Sequence, residues 1–362
     1  MTRIAILTPS LAPADAVSND ILGMFDVLTR NGNDVGLFCE THSLSHPAIS
    51  DLSRIGQFLK SSSDILIYHH SRGWDPGVRF IRAARCRRVI RYHNVTPAEF
   101  FIGFSRTDQD LCERGRKELL ELAAAQCELY MSNSSFSMRE LVAAGADASR
   151  SLTVPPFHHI DRLSTITADQ EILKKYSGVN ANILTVGRVV PHKNVHQLIE
   201  VFAHYYYDCN NKSRLIVVGK GGDGLSSYSK LLHRAVQKLG LANAVVFTGG
   251  VSDEQLKAYY LVADTFVTVS EHEGFCVPLV EAMSMKLPIT AYASTAIPET
   301  LGDAGIVWTD RDPTLIAGSI HLFVTDESVR NALGLRGQQR YQSMFTNKTI
   351  ENTFLRAMSK LK

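Results

Sequence analysis

The chain has 362 residues, more than one ordinary hydrophobic core organises, so two domains are expected. Hydrophobic residues make up 45% and charged residues 20%, which excludes a disordered or fibrous chain. A formal net charge of +2 gives no global reason to expect nucleic acid or a strongly acidic partner.

The six cysteines (39, 86, 112, 127, 209 and 276) form no CxxC pair and no metal-type spacing. They read as reduced thiols of a cytoplasmic protein rather than a disulfide frame. The start, MTRIAILTPS, carries too short an apolar run for a signal peptide. No run reaches the roughly 18 residues of a membrane helix.

In chain order, RIAILTP (3–9) predicts a strand. Residues 18–32 have helical periodicity, with Ser18 as cap and Gly32 at the end. NDVGLFCE (33–40) is a strand, DLSRIGQFLKS a helix, DILIYHH (64–70) and VIRYHN (89–94) strands. A helical stretch covers about 97–127, ELYMSNS (128–134) is extended, and SSFSMRELVAAGA is a helix closing near Gly145. VPPFHHIDRL (154–163) breaks the rhythm, and its two prolines mark a domain boundary.

The rhythm then restarts. Strands are expected at 181–189, 214–220, 244–249, 265–270 and 288–293, with helices between them, and helix from about 313 to the end. Short, apolar, unalternating strands separated by helices mean parallel sheets buried on both faces. The fold class is α/β, with two Rossmann-like doubly wound domains facing a central crevice. The expected division is 1–165, 166–340, and a C-terminal helix, 341–362, packing back toward the first domain. Function is expected in the loops at the carboxyl ends of strands.

Three places could carry chemistry. Gly219, Gly221 and Gly224 have G-x-G-x-x-G spacing, but the next strand ends VVFTGG, without the acid that would hold a ribose, so a dinucleotide site is set aside. In VGRVVPHKN (186–194), Arg188 and Lys193 follow the first strand of the second half, beside a helix start. Two cations and free helix N–H groups there suit phosphates; the plainer alternative is two solvated charges. In EHEGFCVPLVEAM (271–283), Pro278 suits the first position of a helix. Glu273 then lies in a strand-end loop and Glu281 one turn into the helix, where the dipole favours a carboxylate able to accept from paired hydroxyls. A glycosidase acid/nucleophile pair would have to flank one bond, whereas these two glutamates reach from one side.

In that order and spacing, these segments resemble the donor half of GT-B glycosyltransferases of family 4. Glu273 and Glu281 match its E-x7-E signature, and Gly187, Arg188 and Lys193 its G-R-x4-K pair. The resemblance covers about 180–310, and more loosely RYHNVTP and MSNSSFS. It implies a retaining, metal-independent transferase with no cofactor, whose substrate is a GDP- or UDP-linked sugar. Arg188 and Lys193 would neutralise the departing diphosphate, and Glu281 would hold the ribose hydroxyls. Glu273 and His93 would lie by the transferred sugar. Backbone groups of Gly274, Phe275 and Cys276 would meet sugar or phosphate, and those of Thr248 and Gly249 the base. Asn94, Val17 and Ser18 would lie on the acceptor side, although SLAPADAVSND lacks the family's Gly-Gly loop.

The implied acceptor is a hydroxyl of a glycan or lipid-linked glycan in cell-surface polysaccharide or lipopolysaccharide synthesis, with no nucleic acid partner. The rival readings are a GT-B-fold nucleotide-sugar epimerase and a non-catalytic nucleotide-sugar-binding protein. Seven arginines, at 72, 79, 82, 85, 87, 88 and 91, stand against one acid, Asp75. Arg79, Arg82 and Arg85 are expected on one helical face. The region Arg79–Arg91 reads either as a peripheral contact with anionic lipid at the inner membrane face or as a solvated face.

Overall fold

The computed structural model describes residues 1–178, 181–222 and 224–361. The chain forms two compact units. The first holds Met1–Glu99, Thr107–His159 and Thr346–Lys362; the second holds Phe100–Arg106 and Ile160–Phe345. The short excursion at Phe100 interrupts the helical stretch expected over 97–127. A 3₁₀ turn occupies Ala98–Phe101, and the helix proper is Arg106–Ala124.

The first unit's strands are β1 (Arg3–Leu11), β2 (Asp34–His42), β3 (Ile49–Ser50), β4 (Ile65–His70), β5 (Arg87–Tyr92), β6 (Leu129–Ser132) and β7 (Ser151–Thr153). They pair in the order β3-β2-β1-β4-β5-β6-β7, every pair parallel. Every residue of β4 is buried, its apolar run Ile65–Tyr68 and the closing pair His69 and His70 alike, as in a strand covered on both faces. The core joins Ile4, Ile6, Ile67 and Val89 of the sheet to Ile21 and Met24 of helix Ala16–Arg30. It also takes in Ile350, Phe354 and Ala357 of helix Asn347–Met358.

The second unit contains β8 (Ala181–Val186), β9 (Ser213–Val218), β10 (Val245–Gly249), β11 (Thr265–Thr268), β12 (Ile289–Tyr292) and β13 (Ile306–Trp308). Their order is β10-β9-β8-β11-β12-β13, again all parallel. The first strand of each unit thus sits in mid-sheet, with the chain winding outward on both sides. The winding reverses between β1 and β4 and between β8 and β11, the positions where doubly wound sheets bind ligands at the strands' carboxyl ends.

Several local expectations change. Asp15, not Ser18, caps the first helix: its carboxylate accepts from the Ser18 N–H at 2.8 Å. Pro278 is the second helical residue, since the helix runs Val277–Ser284 from a cap at Cys276. The C-terminal region is broken into helices Pro313–Thr325, Glu327–Arg340 and Asn347–Met358, with a π-turn at Tyr341–Phe345.

The arginine-rich stretch is not a uniform cationic face. Arg91 is fully buried, because it lies on central strand β5 and pairs with Asp20. Arg79, Arg82 and Arg88 pair with Asp75, Glu121 and Glu128. Arg85 lies beyond the helix Asp75–Ala83, so it does not continue the Arg79–Arg82 face. No helix among the described residues is long and apolar enough to cross a membrane.

Candidate active site

In the second unit the two loops at the sheet's reversal point are joined. After β8 the chain passes Gly187 (φ +146°), exposed Arg188 and a 3₁₀ turn, Pro191–Lys193, before Asn194 enters helix Val195–His204 at φ +55°. After β11 it passes Glu271 and Glu273 to Cys276. Lys193 Nζ donates to Glu273 Oε1 at 2.5 Å. The Glu271 N–H donates to the His192 carbonyl at 2.8 Å, and Asn194 Nδ2 to Glu271 Oε1 at 3.4 Å. Glu271 also takes an ion pair from Arg311, whose guanidinium lies over the Tyr292 ring. This glutamate, outside the E-x7-E pair, therefore pins the loop that carries Lys193.

Glu273 is 6% exposed, and its backbone is held from both ends by Thr295. Burial opposes charge on Lys193, but the Glu273 carboxylate outweighs it and raises the ammonium pKa above its ordinary value. The site thus presents a lysine that stays cationic, an exposed arginine and a buried carboxylate at the carboxyl end of the sheet's two central strands.

Glu281 is 3% exposed and accepts from the Tyr260 hydroxyl at 2.6 Å. Tyr260, on helix Asp253–Val262, carried no signal in the sequence beyond an apolar periodicity. Cys276 adopts φ +74°, an uncommon conformation for a residue with a Cβ, and burial pushes its thiol pKa up. The Phe275 ring packs edge-on against Phe345, and its carbonyl accepts from Thr300 Oγ1 at 2.8 Å. Gly274 lies between Glu273 and Phe275 in the same loop.

Thr248 and Gly249 end strand β10, where the Gly249 carbonyl accepts from the Gly219 N–H at 2.9 Å. The glycine spacing 219/221/224 has a structural cause at its first member. A Cβ on Gly219 would meet the Gly187 carbonyl oxygen at 1.9 Å, so the glycine lets two loop backbones cross. Asp223 lies outside the described residues.

Beside Lys193, His192 is buried under Phe100 and Phe101, and Phe100 also lies against His272. Burial, with the neighbouring cations Lys193 and Arg188, holds the His192 pKa well below 6.5.

In the first unit, His93 directly follows β5 and is 9% exposed. Its Nε2 lies 2.8 Å from His69 Nδ1, and its Nδ1 lies 3.3 Å from Asn133 Nδ2. Asp20 Oδ2 is 3.6 Å from His93 Nε2 and accepts from Arg91 Nε at 2.8 Å; Oδ1 accepts from the Phe157 N–H at 2.8 Å. Burial, reinforced by His69, Arg91 and His70, holds the His93 pKa well below 6.5. Asp20, His69 and His93 lie close enough to be considered as a metal set. Asp20 is nevertheless engaged at both oxygens, and a guanidinium in contact with it would repel a metal cation.

Asn94 adopts φ +75°, and its Nδ2 donates to Glu140 Oε2 at 2.5 Å and to Ser137 Oγ at 3.2 Å. Ser18 is buried: its hydroxyl accepts from the Ala12 N–H at 3.0 Å and donates to Asp15 at 2.8 Å, and Val17 precedes it in the first turn. Where a Gly-Gly loop was absent, Ala14 takes the left-handed position at φ +54°. Sequence reasoning missed His69 and Asp20; the only signal for His69 was a histidine pair ending an apolar strand.

Residues 169–340 match the family model for glycosyl transferases group 1. The chain is 29% identical over 305 residues to the O-antigen chain mannosyltransferase B of Escherichia coli, covering 83% of this chain and 74% of that protein. It is 27% identical over 217 residues to a GDP-mannose-dependent alpha-(1-6)-phosphatidylinositol monomannoside mannosyltransferase of Mycobacterium tuberculosis, covering 57% of this chain and 55% of the relative. Among solved structures, Anabaena HepE in complex with UDP and glucose aligns with a TM-score of 0.75 at 20% identity, covering 99% of this chain and all of that one. That family match spans just under half of the chain; the fold is that of GT-B structures, and the chain is a glycosyltransferase.

Proposed function

We propose that this glycosyltransferase moves a hexosyl group, mannosyl foremost, from a nucleoside diphosphate donor to a hydroxyl of a surface glycan or its lipid-linked precursor, with retention and without a metal ion. One observation carries the reading: the Lys193–Glu273 pair at the reversal point of the second sheet, with Arg188 on the same loop. Such a pair suits a leaving diphosphate. Lys193 and Arg188 bind its oxygens and stabilise charge that grows as the glycosidic bond breaks. Glu273 keeps Lys193 charged and is assigned to the transferred sugar. Glu281, oriented by Tyr260, accepts from the ribose hydroxyls. Backbone groups of Gly274, Phe275 and Cys276 are assigned to sugar and phosphate, and those of Thr248 and Gly249 to the base. From the first unit, His93 is assigned to the transferred sugar, and Asn94, Val17 and Ser18 to the acceptor side.

The mannosyl assignment is supported by relatives named as mannosyltransferases, one of them as GDP-mannose-dependent. The test is a thermal-shift panel of GDP, UDP, GDP-mannose and UDP-glucose, followed by transfer assays with chelator present. Stabilisation by GDP and GDP-mannose with chelator-resistant transfer is expected. A UDP-only response would replace the donor. Donor conversion without an acceptor would make the protein an epimerase, and binding without turnover a sensor. No response to any nucleotide would overturn the site.

A further inference from the structure

Three buried side chains, His69, Asp20 and Asn133, surround the His93 ring. Asn133 Nδ2 lies 3.3 Å from His93 Nδ1, while Asn133 Oδ1 has no hydrogen-bond partner among the described residues, so a half-turn of the amide exchanges donor for acceptor there. His93 Nε2 faces His69 Nδ1 at 2.8 Å, with Asp20 Oδ2 farther off at 3.6 Å. One proton is shared between these two nitrogens, so the tautomer of one ring sets that of the other. His69 Nε2 has no hydrogen-bond partner among the described residues. The two rings lie nearly parallel, with centroids 5.0 Å apart and planes at 27°. His69 is fully buried on β4, a strand whose backbone is fixed on both sides by β1 and β5.

We propose that His69 is a positioning residue for His93, holding its ring in one orientation and one tautomer through the Nδ1–Nε2 hydrogen bond. The proposal rests on the assignment of His93 to the transferred sugar. An unbonded Nε2 would leave the ring free to turn or exchange tautomers, whereas the bond to a buried strand residue leaves one arrangement. Both ring nitrogens are engaged inside the unit, so His93 serves as a fixed neutral group and not as a titrating base. The groups facing it are His69 and His70 from β4, Arg91 from β5, Asp20 from helix Ala16–Arg30 and Asn133 after β6. Burial first, then His69, Arg91 and His70, opposes a second ring proton. Removing His69 leaves Asp20 Oδ2, at 3.6 Å, as the nearest acceptor.

The test compares His69→Asn, which retains an acceptor near the Nδ1 position, with His69→Leu, which removes it. The leucine variant is expected to lose kcat by roughly ten- to a hundredfold with donor KM little changed. The asparagine variant should recover most of kcat. Nitrogen-15 NMR of histidine-labelled protein checks the tautomer independently of activity: a single tautomer of His93 in the wild type and in His69→Asn, mixed forms in His69→Leu. A leucine variant with wild-type kcat or a single His93 tautomer, or an asparagine variant no better than leucine, would overturn the proposal. So would a stoichiometric divalent ion bound through both histidines. If His93→Ala turns over normally while the wild type shows the single tautomer, the sugar-side assignment of His93 fails instead.

Discussion

Lys193 Nζ and Glu273 Oε1 lie 2.5 Å apart and join the loops that follow the two central strands, β8 and β11, of the second sheet. The pair is asymmetric. Glu273 is buried and held by Thr295, while the lysine is partly open. An anion arriving at the loop therefore meets a cation whose charge is already set and whose Nζ has donors to spare.

Lys193→Ala is expected to lower kcat by roughly 10²–10³-fold, the range for loss of one preorganised group on developing charge. It also strands the Glu273 carboxylate in a buried place, at about 3–5 kcal/mol for breaking one half of such a pair. The two effects separate in the double variant Lys193→Ala/Glu273→Gln, which should regain most of the lost stability and none of the transfer. Urea unfolding and initial rates on the same preparations check this. A single variant with normal turnover would remove Lys193 from the diphosphate site.

Tyr260→Phe removes the 2.6 Å hydrogen bond to Glu281 while leaving the ring in place. A buried carboxylate that loses a donor costs about 1–3 kcal/mol. The carboxylate also loses its orientation, so the expected kinetic signature is a severalfold rise in donor KM with a smaller change in kcat. The comparison that isolates the ribose contact is free nucleoside diphosphate against its 2′-deoxy form by calorimetry. The wild type should discriminate between them more strongly than the variant does.

The alternation of apolar runs and amphipathic segments was enough to read two parallel α/β sheets, because β4, β6 and β11 are buried along their whole length and their short, mostly apolar runs lack the alternation of a half-exposed strand. Two-residue β3 and three-residue β7 and β13 carry no such signal; they exist because a neighbouring strand already offers an edge. Lys193 and Glu273 could each be named from local pattern, but their pairing spans 80 positions and depends on β8 and β11 being adjacent. Tyr260 and His69 were hidden for a different reason. Each lies within an apolar pattern, and only the packed structure shows that its polar atom is turned toward Glu281 or His93. Arg91 misled in the opposite sense: a charge counted with a surface run is buried against Asp20.

Gly219→Ala should damage the donor side without touching a charged residue. The backbone there has φ +142°, and an added Cβ would come within 1.9 Å of the Gly187 oxygen. Neither backbone can yield without moving Arg188, the residue after Gly187. A lower melting temperature and a rise in donor KM are expected together. Gly221→Ala, where a Cβ meets nothing within 4 Å, is the control and should leave both nearly unchanged. Equal behaviour of the two variants would mean that the loop crossing does not position Arg188.

Stability should fall on mild acidification because four histidines are buried in neutral form. Burial lowers the His70 pKa to about 4, and His69, His93 and His192 are held well below 6.5, first by burial and then by neighbouring cations and histidines. Their folded-state values are depressed, so their contribution is present above the ordinary histidine pKa of 6.5. It is lost as pH falls through that value toward the folded one, because the unfolded chain takes up protons that the folded chain refuses. Each such histidine can contribute at most about 1.4 kcal/mol per pH unit in that window. Urea midpoints measured between pH 7.5 and 5.0 should therefore drop steeply below about pH 6.5. In His70→Gln the amide nitrogen can still donate to the Gly115 carbonyl, the acceptor 2.9 Å from His70 Nε2, and the slope should fall by one proton's worth. A midpoint that stays level down to pH 5.0 would mean these rings are protonated in the folded protein, and the neutral, fixed His93 would go with them.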